Sequence, residues 1–195
     1  VLVECGLLRV ELSDGRSATF RPSLGRLAAL ASPSGLVELF GRLHGASSAA
    51  AACEVLSGLC DPDDIDALPD LIGEPVAGPQ GIAWEGGAMP APERIILAQH
   101  LLMHGMVGKA RPGGERKAEH GAYSQTFDAG EYIAAARVHL GMTLAEAEAL
   151  SMTELQQLLE MKFPDQKAPG ALDVPTREEY EAGMRAFEEL KRRRA

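Results

Sequence analysis

The chain is expected to fold as an α+β protein, predominantly α-helical, with an N-terminal β-hairpin followed by a helical bundle and short C-terminal helices. Three observations carry that expectation. Aromatic residues are only 5% of the 195 residues, which disfavours a sandwich whose strands want aromatic and β-branched side chains. Asp14-Gly15 sits between two short runs of alternating polarity, a hairpin signal because both turn positions accept positive φ. Asp128-x-x-Glu131, Thr143-x-x-Glu146 and Thr153-x-x-Gln156 each place a capping oxygen three residues ahead of Glu or Gln, the spacing of a reciprocal helix start. A chain of this length can bury roughly 70% of its unfolded surface, so it needs no disulfide or metal to hold it together.

In order along the chain, Leu8, Val10 and Leu12 alternate on one strand face, and Ala18 to Phe20 continue after the turn. Pro22 fits an early helical position for a helix from Ser23 to Leu30. A second helix is expected after Ser34, carrying Leu36, Leu39, Phe40 and Leu43, with Gly45 closing it. Ser47 to Cys60 reads as a third, alanine-rich helix. An isolated hairpin is not stable in water, so the strands must lie on these helices or pair with another chain.

Residues 61–91 read as a Pro/Gly-rich acidic connection, since Pro62, Pro69, Pro75, Pro79 and Pro90 punctuate a run holding Asp61, Asp63, Asp64, Asp66 and Asp70. Trp84, the single tryptophan, is either an anchor onto the core or a contact for a partner. Pro92 to Met106 is the most apolar helix and belongs at the centre of the protein or in a subunit interface. It opens a helical core region, 92–163, interrupted by a flexible loop at 108–126. Within that region Gly141 is placed to stop one short helix and Pro164 to stop the last. Residues 164–195 form a loop and a C-terminal amphipathic helix, whose narrow seam (Tyr180, Met184, Phe187, Leu190) suits docking on the body or forming a homo-oligomer.

The sequence carries no recognisable catalytic chemistry, and the protein is expected not to be an enzyme. His100 and His104 are four apart, but Leu101 stands where a zinc peptidase has its general base, and no third ligand follows. Cys53 and Cys60 read as packed thiols. The Asp61–Asp66 run lacks the central Gly and twelfth-position Glu of a calcium loop. No Gly-x-Ser-x-Gly elbow or phosphate loop occurs. No catalytic residue, cofactor or metal ligand is therefore assigned. A formal net charge of −9 argues against nucleic acid as a partner. The basic end, Lys191 to Arg194, complements the acidic start of its own helix. No apolar span of about 20 residues suggests a membrane partner, and three cysteines without a Cys-x-x-Cys pair suit a reducing cytoplasm.

The stretch from Tyr132 through Leu140-Gly141, Met142-Thr143-Leu144-Ala145-Glu146 and Met152-Thr153-Glu154-Leu155 resembles tail assembly chaperones of long-tailed bacteriophages. In those proteins a helix ending near Leu-Gly is followed by a short helix and then a Met-Thr start to the next. The resemblance covers about a fifth of the chain and rests on capping and packing residues. It implies a small, acidic, helical protein of the bacterial host cytoplasm. Such a protein binds the tape measure protein and keeps it soluble while tail tube subunits, a second partner, polymerise around it. Candidate protein-contact residues are Trp84, Met103, Met106, Met142, Met152, Leu155 and Leu159, with Tyr180, Met184 and Phe187 on the last helix. The methionines suit an adaptable client surface as well as core filling. Two other readings stand beside this one. A head–tail or tail adaptor would remain in the virion. A small helical regulator would use 127–163 as a helix-turn-helix, but the helix from Glu154 to Lys162 carries two Glu and one Lys, the wrong charge for a DNA groove.

Overall fold

The computed structural model describes residues 6–78, 81–108 and 125–164. The chain divides into two compact units, residues 1–162 and 163–195, and of the second only Phe163 and Pro164 are described. The fold is α+β and predominantly helical, as the composition and patterning predict. Strands β1 (Leu8–Glu11) and β2 (Ser17–Phe20) form the N-terminal hairpin. Helices α1 (Leu24–Leu30), α2 (Pro33–Arg42) and α3 (Ser48–Leu59) follow.

The hairpin pairs Leu8 with Phe20 and Val10 with Ala18. Leu8, Ala18 and Phe20 are buried on the helices. Its turn differs from the two-residue expectation. Gly15 N–H donates to Leu12 O at 3.1 Å and Leu12 N–H to Arg16 O at 2.8 Å, a three-residue loop in which Gly15 takes the left-handed region, at φ 85°. Helix α1 starts one residue later than Pro22 suggested, because Ser23 is the cap and accepts from Arg26 N–H. Helix α2 starts earlier than Ser34, with Ser32 as cap and Pro33 in the first turn, where a missing N–H costs nothing.

Residues 61–91 are the main departure from expectation. They hold a 3-10 turn (Pro62–Ala67), helix α4 (Leu68–Ile72) and a second antiparallel hairpin, β3 (Glu74–Gly78) with β4 (Gly81–Glu85). Pro62 and Pro69 fall in first-turn positions, where proline is tolerated, and Pro75 lies in a two-stranded hairpin with no third strand to supply. Three carboxylates of the acidic run are bound within the protein. Asp61 holds Arg21 and Arg26, Asp64 accepts from Thr19 N–H at 2.9 Å, and Asp70 accepts from Arg16 at 2.5 Å.

Helix α5 (Ala91–Leu102) continues through a π turn (Met103–Val107), and α6 (Ala129–Ala135) through a second (Ala136–Leu140). Helices α7 (Leu144–Ala149) and α8 (Met152–Lys162) complete the first unit. Its core centres on α3 against α5, with Leu56, Leu59, Leu101 and Leu102 fully buried. Helix α5 is buried along one face only. Ile96 is exposed, so its apolar circumference does not mean burial all round.

Candidate protein-interaction surface

Three short helices build the surface. Asp128 caps α6 by accepting from Gly130 N–H at 2.9 Å, and Gly141, at φ 73°, returns its N–H to Arg137 O at 3.1 Å. Thr143 and Glu146 form the reciprocal start of α7: Glu146 N–H donates to Thr143 Oγ1 at 3.3 Å, and Thr143 N–H donates to Glu146 Oε2 at 2.8 Å. Thr143 Oγ1 also donates to Glu146 Oε2 at 2.7 Å, and the two bonds that Thr143 donates to the carboxylate, side chain first and backbone second, hold it below its ordinary range.

The third start is not the expected one. Helix α8 begins at Met152, and its reciprocal pair is Ser151 with Glu154, whose carboxylate accepts from Ser151 N–H at 2.7 Å while Ser151 Oγ accepts from Glu154 N–H at 3.2 Å. Thr153 is buried instead, and its Oγ1 lies 2.9 Å from His104 Nδ1. Gln156 donates to Val107 O at 3.0 Å. Two residues read as a cap thus fasten α8 to the end of α5.

Burial sorts the side chains of these helices. Ile133, Ala136, Ala147, Met152 and Leu155 face inward. Tyr132, Val138, Leu144 and Met161 face water, Val138 at 78% and Met161 at 80% of their full accessibility. Lys162 Nζ donates to His139 O at 2.5 Å, so the exposed neighbours of that bond, Val138 and Met161, are carried on two tied helix ends. A separate groove of about 320 Å³ opens between α1, α2 and the start of α6, lined by Ala28, Leu36, Phe127 and Ala129.

The second hairpin forms an arm. All of β3 is exposed, Ile82 is 67% exposed, and only Trp84 of the described β4 side chains packs partly on the core. Its base is narrow. Gly73 and Gly87 approach so closely that a Cβ on Gly87 would strike the Gly73 backbone, and both have positive φ, 89° and 80°. Arg94, 9% exposed, forks into that base. It donates to Met89 O at 2.6 Å, Ile72 O at 2.7 Å and Gly86 O at 3.0 Å. The sequence reading missed Arg94. Its signal was available: it is the one charged residue on the buried stripe of α5 with Ala98, Leu101 and Leu102.

The contact residues proposed from sequence are therefore dispersed. Met103 is exposed, Trp84, Met106, Met142 and Leu159 are partly buried against the core, and Met152 and Leu155 are core residues that offer no surface to a partner. Met152 and Leu155 are corrected on this account, because starting α8 at Met152 turns both inward. Tyr180, Met184 and Phe187 lie outside the described residues. Exposed apolar residues outside that set include Tyr132, Val138, Leu144 and Ile82.

Among the described residues, the histidines and cysteines with shifted values lie apart, as a histidine pair and two packed thiols. The His100 and His104 rings lie 4.5 Å apart and burial pushes both below the ordinary histidine range. Burial, with Asp64 and Asp61 nearby, pushes Cys60 up to about 11, and burial raises Cys53. Among the described residues no group of three or more His, Cys, Asp or Glu is placed to hold a metal ion. Among them, too, no helix is long and apolar enough to cross a membrane.

Neither a curated protein nor a solved structure matches the chain. Residues 45–182 match a family model described as a family of unknown function, DUF6246. That stretch takes in α3 through α8 and more than half of the chain, and the protein belongs to this family.

Proposed function

We propose that the protein is a tail assembly chaperone of a long-tailed bacteriophage, acting in the host cytoplasm. In this reading it binds the tape measure protein and keeps it soluble until the tail tube forms around it. The observation that carries the reading is the segment resembling those chaperones: it folds as three short capped helices that leave Tyr132, Val138, Leu144 and Met161 in water. Large apolar side chains held on tied helix ends supply non-directional attraction for a long client. The exposed arm with Val76 and Ile82 adds a second contact element.

The test is co-expression with candidate phage tape measure proteins. A holding role predicts that the soluble fraction of the tape measure protein rises when this chain is present, and that mass spectrometry of purified virions finds the tape measure protein without this chain. An insoluble tape measure protein, or this chain as a stoichiometric virion component, would exclude the reading, the latter in favour of an adaptor.

A further inference from the structure

The two edges of the arm are not equivalent. Pro75 has no N–H, so Pro75 and Trp84 form a non-hydrogen-bonded pair of the β3–β4 ladder. Bonding alternates along an antiparallel pair, which makes Glu74 with Glu85, Val76 with Ala83 and Gly78 with Gly81 the hydrogen-bonded pairs. Pro75 and Ala77 therefore turn their backbone groups to the outer edge of β3, and Ile82 and Trp84 turn theirs to the outer edge of β4. Proline blunts the first edge, because a strand arriving there finds one donor missing. The second edge keeps a complete set, one N–H and one C=O from each of Ile82 and Trp84.

That second edge is open to addition. Among the described residues the sheet has two strands. Trp84 meets the core through its side chain, which stands out of the sheet plane, and Ile82, Ala83 and Glu85 are exposed along the edge. A hairpin of two strands is at best marginal in water, so further pairing stabilises it.

We propose that β4 pairs antiparallel with β4 of a second copy, joining the two arms into a four-stranded sheet in the order β3-β4-β4-β3. One two-fold register uses every outward group: Ile82 lies opposite the second copy's Trp84, Trp84 opposite its Ile82, and Ala83 opposite its Ala83 on the axis. Moving the axis to Ile82 or to Trp84 would pair the other residue with a position beyond the ends of β4. Side chains match in the same register. Pro75 and Trp84 line up with the second copy's Ile82 and Ala77, and on the opposite face Val76 and Ala83 line up with its Ala83 and Val76, so both rows are apolar. Glu85 falls opposite the second copy's Gly81, which keeps the two Glu85 carboxylates from facing each other. Pro75 blunts both outer edges of the joined sheet, so assembly closes at two copies. The inference concerns the chain's own assembly and stands apart from the client proposed above.

Sedimentation equilibrium of the full chain over a micromolar concentration range tests it. The wild type should dimerise reversibly and go no further. Ile82→Pro removes an outward N–H and spares every bond within the arm, as Pro75 does on the other strand, and should weaken the dimer about tenfold or more. Ala83→Cys gives an independent reading. Facing Cα atoms of a non-hydrogen-bonded antiparallel pair lie about 4.5 Å apart, within disulfide reach, so mild oxidation should cross-link two copies through that position. The wild type and Ala77→Cys, on the blunted edge, should not cross-link. A monomer at every concentration overturns the proposal and leaves the edge to a strand of another polypeptide. A dimer indifferent to Ile82→Pro, or one in which Ala83→Cys forms no cross-link, overturns it as well. Should Ile82→Pro fail to fold, the Ala83→Cys cross-link decides alone.

Discussion

Arg94 Nη1 donates to the carbonyl of Ile72 at 2.7 Å, across from α5 to the last residue of α4. The same guanidinium reaches Gly86 O at 3.0 Å and Met89 O at 2.6 Å, so one side chain ties the chain before the arm to the chain after it. A buried charge is tolerated here because neutral carbonyls supply the partial negative charge that a carboxylate would otherwise provide.

Arg94→Met keeps much of the aliphatic stem and removes the fork. It leaves three carbonyls without their donor and should destabilise the protein by about 3 kcal/mol in urea denaturation. Arg94→Lys should recover only part of that, since one ammonium cannot reach the three acceptors in the same geometry. Equal stability of Arg94→Met and wild type would show that the arm needs no pin.

Two glycines should respond differently to the same change. A Cβ at Gly141 meets nothing within 4 Å, so Gly141→Ala carries only the strain of φ 73° and should cost about 1 kcal/mol. At Gly87 the added Cβ strikes the Gly73 and Ile72 backbone as well, so Gly87→Ala should lower the melting temperature further. The reverse ranking would contradict the close approach at the base of the arm.

Helix α8 offers a choice of caps that stability measurements can read. Ser151→Ala should cost about 1 kcal/mol, the usual loss of a capping hydroxyl. An unchanged denaturation midpoint would mean that the pair Ser151–Glu154 is not the working start.

The Glu146 carboxyl gives a pH reading. Its folded value is depressed by the Thr143 side chain and backbone, so the start of α7 is stabilised above the ordinary glutamate value and loses that support as pH falls through the folded one. Carbon-13 titration of the carboxyl should place Glu146 below the ordinary range in the wild type. In Thr143→Ala it should move upward. A titration curve indifferent to Thr143 would remove the reciprocal pair from the account.

Legibility in the sequence followed the range of the forces involved. The first hairpin was readable because Leu8, Val10 and Leu12 alternate locally and the Asp14-Gly15 turn lies between its strands. The short helices were readable from their caps, but not the phase of α8. Ser151-x-x-Glu154 and Thr153-x-x-Gln156 overlap, and what separates them is tertiary: Thr153 has His104 and Gln156 has Val107 O. Residues 61–91 were misread because prolines and glycines look alike whether they punctuate a loop or occupy first turns and strand edges. The contacts that order them, Arg16 to Asp70 and Arg94 to Ile72, come from elsewhere in the chain. The exposed apolar surface was least legible, since periodicity marks a face without saying which neighbour covers it.

The central claim is that the apolar ends of the short helices grip another polypeptide. Co-purification of the tape measure protein with the wild-type chain and with a Val138→Asp, Met161→Asp double variant tests it most directly, because both side chains are exposed and neither supports the fold. The account predicts a soluble complex with the wild type and at least a tenfold drop in recovered tape measure protein with the variant, about 1.4 kcal/mol of lost binding. Equal recovery with a folded variant would contradict it.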